Sequence, residues 1–323
     1  MNESQWLTFF VNLFAAGLAR GTPILFATLG GVVTERSGVM NLGIEGMMLV
    51  GAMTAFATAR ATGSAFAGVV AGMAAGATLA LAYALVVVHL RADQVVSGLA
   101  LGFMGTGLSA VLGAPLVEHR EATARIPTLN VPVLEDLPVL GELLFKQNLV
   151  VWLGFVLVPA CWWLLYRTRW GLAIRAVGEH PSAADSLGVS VLGVRTASVV
   201  FGGAMAGLAG ASLSLAITPG WVDGLTAGQG WVAVGLVIFA GWNPVRAAVG
   251  AWLFGAIRRL PLDLQGVPDL PLFRNPNLGY FLSMLPYLFV IGAMVVGSRQ
   301  AMRRRLGAPA ALGVPWIRGD RGK

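Results

Sequence analysis

Long stretches without a Lys, Arg, Asp or Glu, each bounded by charge, constrain this chain more than any other feature. Thr62–His89, Gln94–Val117, Gln147–Tyr166, Thr196–Val222 and Asn275–Ser298 are such stretches. Each is long enough for the ~20 residues that cross a ~30 Å hydrocarbon core as a helix. Only backbone that satisfies its own polar groups survives there, so runs of this length predict helical spans.

Four further segments extend the pattern. Trp6–Val33 is interrupted by Arg20-Gly21-Thr22-Pro23 and is taken as one long kinked span, with two short spans as the alternative. Leu42–Thr58 is another span. Gly224–Val245 and Ala247–Ile257 flank Trp242-Asn243-Pro244 and Arg246 and read as two short abutting helices. The expectation is an all-α, polytopic transmembrane bundle of about nine spans, some broken or short. Composition agrees: 56% of residues are hydrophobic and 11% charged, against about 25% charged in soluble domains.

Charge sets the expected orientation. Arg299, Arg303, Arg304, Arg305, Arg318, Arg321 and Lys323 make residues 299–323 a basic cytoplasmic tail under the positive-inside rule. Arg167, Arg169, Arg175 and Arg195 place 169–196 on the same side. The 118–146 loop, with Glu118, Glu121, Glu135, Asp136 and Glu142, faces outwards. Residues 1–298 form one permease domain. The net charge of +7 sits at span ends rather than in a soluble patch, which argues against nucleic acid as a partner and leaves membrane lipid as the surrounding medium.

Some chemistry is missing from the sequence. The only lysines, Lys146 and Lys323, lie in no phosphate-binding GxxxxGK[ST] pattern. His89, His119 and His180 have no metal-ligand spacing, and neither HExxH nor GxSxG occurs. No directly bound cofactor and no metal is expected. Gly68, Gly72 and Gly76, Gly98 and Gly102, and Gly203 and Gly207 recur at the four-residue spacing of close helix contacts. Plain packing explains them more simply than helices that slide during transport.

Two places inside the spans carry polar groups, and Asn41, Glu45 and Asn243 are the candidates for a translocation path. In TERSGVMNLGIEGMMLVGA, Thr34–Ala52, Glu45 is an ionisable group in an apolar helix, by default a functional candidate. The simpler reading puts Glu45 near the cytoplasmic helix end, in the first turns beside the positive macrodipole end, with Asn41 as cap. On that reading Glu45→Gln leaves uptake nearly intact. In GWNPV, Gly241–Val245, Pro244 breaks the helix. It marks either a broken helix on the path or a tight turn between spans.

The polar insert RWGLAIRAVGEHPSAADSLGVSVLGVRT, Arg169–Thr196, is too short and charged to span. Gly171–Gly178 and Pro181–Leu187 each allow about two helical turns, stopped by Gly178 and Gly188, with Pro181 at a first helical position. WGLAIRAVGEHPSAADSLGV, Trp170–Val189, resembles the cytoplasmic coupling segment of permease subunits of ABC importers. GGAMAGLAGA, Gly202–Ala211, is similar to the following span of the group that handles branched-chain amino acids, simple sugars and nucleosides. The Thr34–Ala52 string and LRADQVVSGLAL, Leu90–Leu101, resemble its nucleoside-uptake branch.

The resemblance implies a nucleoside permease in a bacterial or archaeal cell membrane, with sugars or branched-chain amino acids as alternative cargo. It also implies three partners: a second permease subunit, an ATP-binding subunit that carries the ATP, and an extracytoplasmic solute-binding protein. Coupling to the ATPase is carried over onto Arg175, Gly178, Glu179, Pro181, Ala183, Ala184, Asp185 and Gly188. One departure stands out: Ser182 replaces the Glu of the general Glu-Ala-Ala pattern, and Glu179 or Asp185 is the available substitute. An ion-coupled secondary transporter is the rival class, but it predicts several paired ionisable groups at mid-membrane.

Overall fold

A computed structural model of the chain describes residues 3–117, 124–130, 139, 141–265, 278–297 and 307–318. Glu118, Glu121, Glu135 and Asp136 of the acidic loop, and Arg299, Arg303–Arg305, Arg321 and Lys323 of the basic tail, lie outside the described residues. The first helix, α1 (Glu3–Arg36), is continuous through Arg20 and Pro23, one long helix rather than two short ones. Thr22 Oγ1 bonds Leu18 O at 2.7 Å within it.

Next come α2 (Ile44–Thr62), α3 (Ala65–Ala84, continued by a wider turn over Leu85–His89) and α4 (Gln94–Val117). Gly63, at φ 69°, ends α2 in the left-handed conformation open to glycine, and Ser64 caps α3. Strands β1 (Thr128–Asn130) and β2 (Lys146–Asn148) pair antiparallel just ahead of α5 (Leu149–Arg167). They are the only strands among the described residues.

After α5 come two short helices, α6 (Arg169–Glu179) and α7 (Pro181–Ser186). The chain then re-enters through α8 (Val191–Ser212, continued over Leu213–Ile217) and closes with α9 (Gln229–Phe239), α10 (Pro244–Gln265) and α11 (Leu278–Gly297). Five helices, Trp6–Arg36, Ala65–His89, Gln94–Val117, Leu149–Arg167 and Val191–Ile217, are long and apolar enough to cross a membrane. The fold is a polytopic helical bundle.

Two boundaries differ from the sequence reading. The expected short helix at Ala247–Ile257 is instead the 22-residue α10. Arg246 does not interrupt it, because Asn243 caps it and Pro244 occupies its first position; an Arg259–Asp263 pair at 2.6 Å supports its last turns. Conversely, the run from Gly224 becomes helical only at Gln229. Before that, a string of turns places Gly224, Ala227 and Gly228 at positive φ.

The core is built where α1, α2, α3, α8 and α10 meet, around Ile24, Phe26, Met47, Met48, Met205 and Phe254. α8 is the most enclosed of the five apolar spans. Glycine makes this approach possible. Gly51 on α2 faces the backbone of Gly207 on α8, while Gly76 on α3 presses on Gly203 and Gly207. Gly46 and Gly105 bring α2 onto α4 in the same way. The regularly spaced glycines thus lie in closely packed interfaces.

Candidate functional site

The α6–α7 segment is rigidly seated. Thr168 Oγ1 accepts from Gly171 N at 3.0 Å and so caps α6. Ile174, Val177 and Ala184 enter a cluster with Val32, Val191, Val194 and Trp242. The Arg175 guanidinium lies 5.3 Å from the centre of the Tyr166 ring, a cation–π distance. Pro181 opens α7 as expected, and Gly188 at φ 83° closes it, its N–H donating to Asp185 O at 2.9 Å.

Gly178 is different: it does not stop α6, which runs on to Glu179. Its missing Cβ is required because the Arg36 carbonyl lies against it. A glycine near a helix end looks the same in sequence whether it terminates the helix or admits a neighbour. Outward, Ala183 is exposed and Leu187 is 86% exposed. The carboxylates proposed to replace the missing Glu are already engaged within the chain: Glu179 Oε2 accepts from Ala310 N at 3.3 Å, and Asp185 pairs with Arg318 at 3.3 Å.

Next to α6, the end of α1 meets the turn before α10. Arg36 Nε donates to Trp242 O at 3.1 Å, and Trp242 Nε1 donates to the buried Glu35 Oε2 at 2.7 Å. Asn243 Oδ1 accepts from Val245 N at 2.9 Å, a cap for α10. In the described structure Asn243 therefore serves a tight turn.

Glu45 lies at the other end of α9. Its carboxylate accepts from Thr226 Oγ1 at 2.5 Å, Gly228 N at 2.9 Å and Gly230 N at 2.6 Å. Eleven residues of α9 separate this point from the Trp242 turn, roughly 16 Å at 1.5 Å per residue. Glu45 thus sits in the first turn of α2, as expected, but this helix end lies a helix length of α9 away from the coupling segment. Residues 37–43 run inwards without helix, and α2 starts only at Ile44, deep in the bundle. From Glu45, α2 runs away from the coupling segment and α9 runs towards it.

Two helix N-termini thus converge on one internal carboxylate, where the positive ends of their dipoles favour it. Backbone N–H groups left free at a turn or a helix start must find partners inside the protein, and Glu45 supplies them to Gly228, before α9, and to Gly230, in its first turn. Asn41 belongs to the same cluster, but it does not cap the first free N–H groups of α2. Its Oδ1 accepts from Gly43 N at 2.9 Å, and its Nδ2 approaches Met47 Sδ at 3.5 Å. Asn41 and Glu45 are therefore neighbours, and Asn243 is not with them.

Sequence reasoning missed the receiving loop Thr226–Gly230, buried Arg195, and the docking of residues 307–318 on α6 and α7. The loop's two glycines flanking Gln229 were a faint signal. For the tail, the apolar string Ala311-Leu312-Gly313-Val314-Pro315-Trp316-Ile317 within an arginine-rich end was a stronger one.

Residues 13–294 match the family described as branched-chain amino acid transport system / permease component. The chain is 39% identical over 325 residues to a putative glucose ABC transporter permease protein of Haloferax volcanii, covering 95% of this chain and 97% of that one. It is 34% identical to a guanosine ABC transporter permease protein of Bacillus subtilis, covering 95% and 96% of the two chains. A nucleoside ABC transporter permease protein of Lactococcus lactis is 33% identical, with 93% and 95% covered. No solved structure gives a significant match.

Proposed function

The chain belongs to the branched-chain amino acid transport system permease family and is a multi-pass membrane permease of an ABC importer; from that premise we propose that its cargo is a nucleoside and that α6 and α7 receive the ATPase. Similarity along nearly the whole chain to permeases named for nucleoside and guanosine carries the cargo reading. The glucose permease relative favours a second reading, a simple sugar. Both cargoes offer a hydroxylated ring, so the outcome turns on whether a base is needed.

On this reading residues 1–298 form the permease domain, with 118–146 outside and the 169–196 segment and 299–323 tail inside. A second permease subunit completes the path, a solute-binding protein delivers cargo outside, and ATP is bound and hydrolysed by a separate subunit. The seating of α6 supports the coupling role: its buried face is locked against α1 and α8, so a push on α7 is not absorbed by a loose connector.

Uptake of labelled guanosine is the test, in cells carrying the permease with its partner subunits. Unlabelled nucleosides are expected to compete and glucose not, and uptake should survive collapse of ion gradients while ATP is maintained. Competition by glucose alone would shift the cargo to sugars. Loss of uptake on gradient collapse at constant ATP would favour the ion-coupled class.

A further inference from the structure

Beyond the last span, residues 307–318 fold back onto the coupling segment. A turn closed by Leu312 N donating to Pro309 O at 3.1 Å shapes the segment, and Ala311 N donates to Gly178 O on α6 at 2.9 Å. Leu312 and Trp316 pack against the cluster that holds Ile174, Val177 and Ala184. Backbone pairing and apolar anchoring together mark a docked element; a loosely attached tail would show neither.

The same segment also grips a second part of the molecule. Gly313 N donates to Gly38 O at 3.2 Å. Arg195, buried at the start of α8, donates through Nη1 to Val314 O at 3.0 Å and through Nε to Ser37 O at 3.3 Å. Ser37 and Gly38 open the non-helical stretch 37–43, which leads directly to Ile44 and Glu45. One short segment is therefore bonded at one edge to α6 and α7 and at the other to the strand of chain that feeds the buried carboxylate clamp.

We propose that residues 307–318 act as a strap that carries displacement of α6 and α7 to the 37–43 stretch and on to the Glu45 clamp, with Arg195 as the positioning residue that holds strap and stretch together. This rests on the reading of α6 and α7 as the ATPase-facing helices. Chains of packed side chains and hydrogen bonds can carry coupling between distant sites. α6 already packs on α1 through Val32, Val33 and Arg36, and Gly178 approaches Gly38 directly; the strap adds hydrogen bonds that tie α6 and the 37–43 stretch to one element.

Two variants of the complete transporter test this: truncation before Gly307, and Leu312→Ala with Trp316→Ala, which keeps the chain but removes its anchors. Both are expected to insert, to retain the ATPase subunit and to hydrolyse ATP, while nucleoside imported per ATP falls by roughly two- to thirtyfold. An unchanged import per ATP in the anchor variant overturns the strap. So does loss of the ATPase subunit from that variant, because the segment would then be a docking surface. The underlying reading is tested separately by the unaltered transporter: import without any ATP requirement would sink that reading, and the strap with it.

Discussion

Glu45→Gln is expected to abolish uptake and to lower the thermal stability of the purified protein. The carboxylate receives three donors, two of them backbone N–H groups: half-buried Gly228 in the turn before α9 and buried Gly230 in its first turn. Glutamine keeps the shape but offers one acceptor oxygen. Its NH2 group must then face the backbone N–H of either Gly230 or Gly228, donor against donor. Losing charge-assisted bonds and stranding a buried N–H costs about 3 kcal/mol or more. This replaces the mild outcome that a simple helix-end role would give. Glu45→Asp, which keeps the charge but shortens the reach, should fall between the two. Normal uptake and an unchanged melting point for Glu45→Gln would show that the clamp carries no weight.

Gly207→Leu is expected to damage the bundle severely. A Cβ at this position would overlap backbone of Gly72 and Met73, atoms that cannot rotate away. α3 and α8 would have to separate, and with them the Gly51 contact from α2. Overpacking in a tight interior commonly costs about 1–3 kcal/mol, and rigid backbone on the other side places this site at or above that range. Gly107→Ala on α4 is the matched control, since nothing lies within 4 Å of its Cβ position. It is expected to be neutral or to stabilise by up to about 1 kcal/mol, because alanine is the better helix former. Melting temperatures in detergent, with the fraction of monodisperse protein, measure both. Equal behaviour of the two variants would contradict the packing described.

Features written in short-range chemistry were legible. Uncharged runs marked the spans, Pro181 and Gly188 marked the ends of α7, and Asn243-Pro244 marked the break before α10. The depth of Glu45 was not, because its partners Thr226, Gly228 and Gly230 are 181 to 185 residues away in the chain. No periodicity links the two segments. Hydrophobic pattern also mistook the turns from Gly224 to Gly228 for helix: an uncharged turn joined to an apolar helix looks like more of the same span. The tail was read by charge alone, so the arginines set its side of the membrane while the anchors Leu312 and Trp316 went unused.

Coupling through α6 and α7 is the central claim, and site-directed crosslinking tests it most directly. In a variant lacking Cys161, Leu187→Cys presents a thiol at a position that is 86% exposed. Lys146→Cys presents one at the far end of α5, about 28 Å away along that helix. In membranes holding the assembled transporter, the Leu187→Cys variant is expected to crosslink to the ATP-binding subunit, with a yield that changes on adding ATP. The Lys146→Cys variant should give no such product and should react with a thiol reagent added outside. A crosslink to the ATPase from position 146, or none from position 187 in a transporter that imports nucleoside normally, would contradict both the orientation and the coupling role.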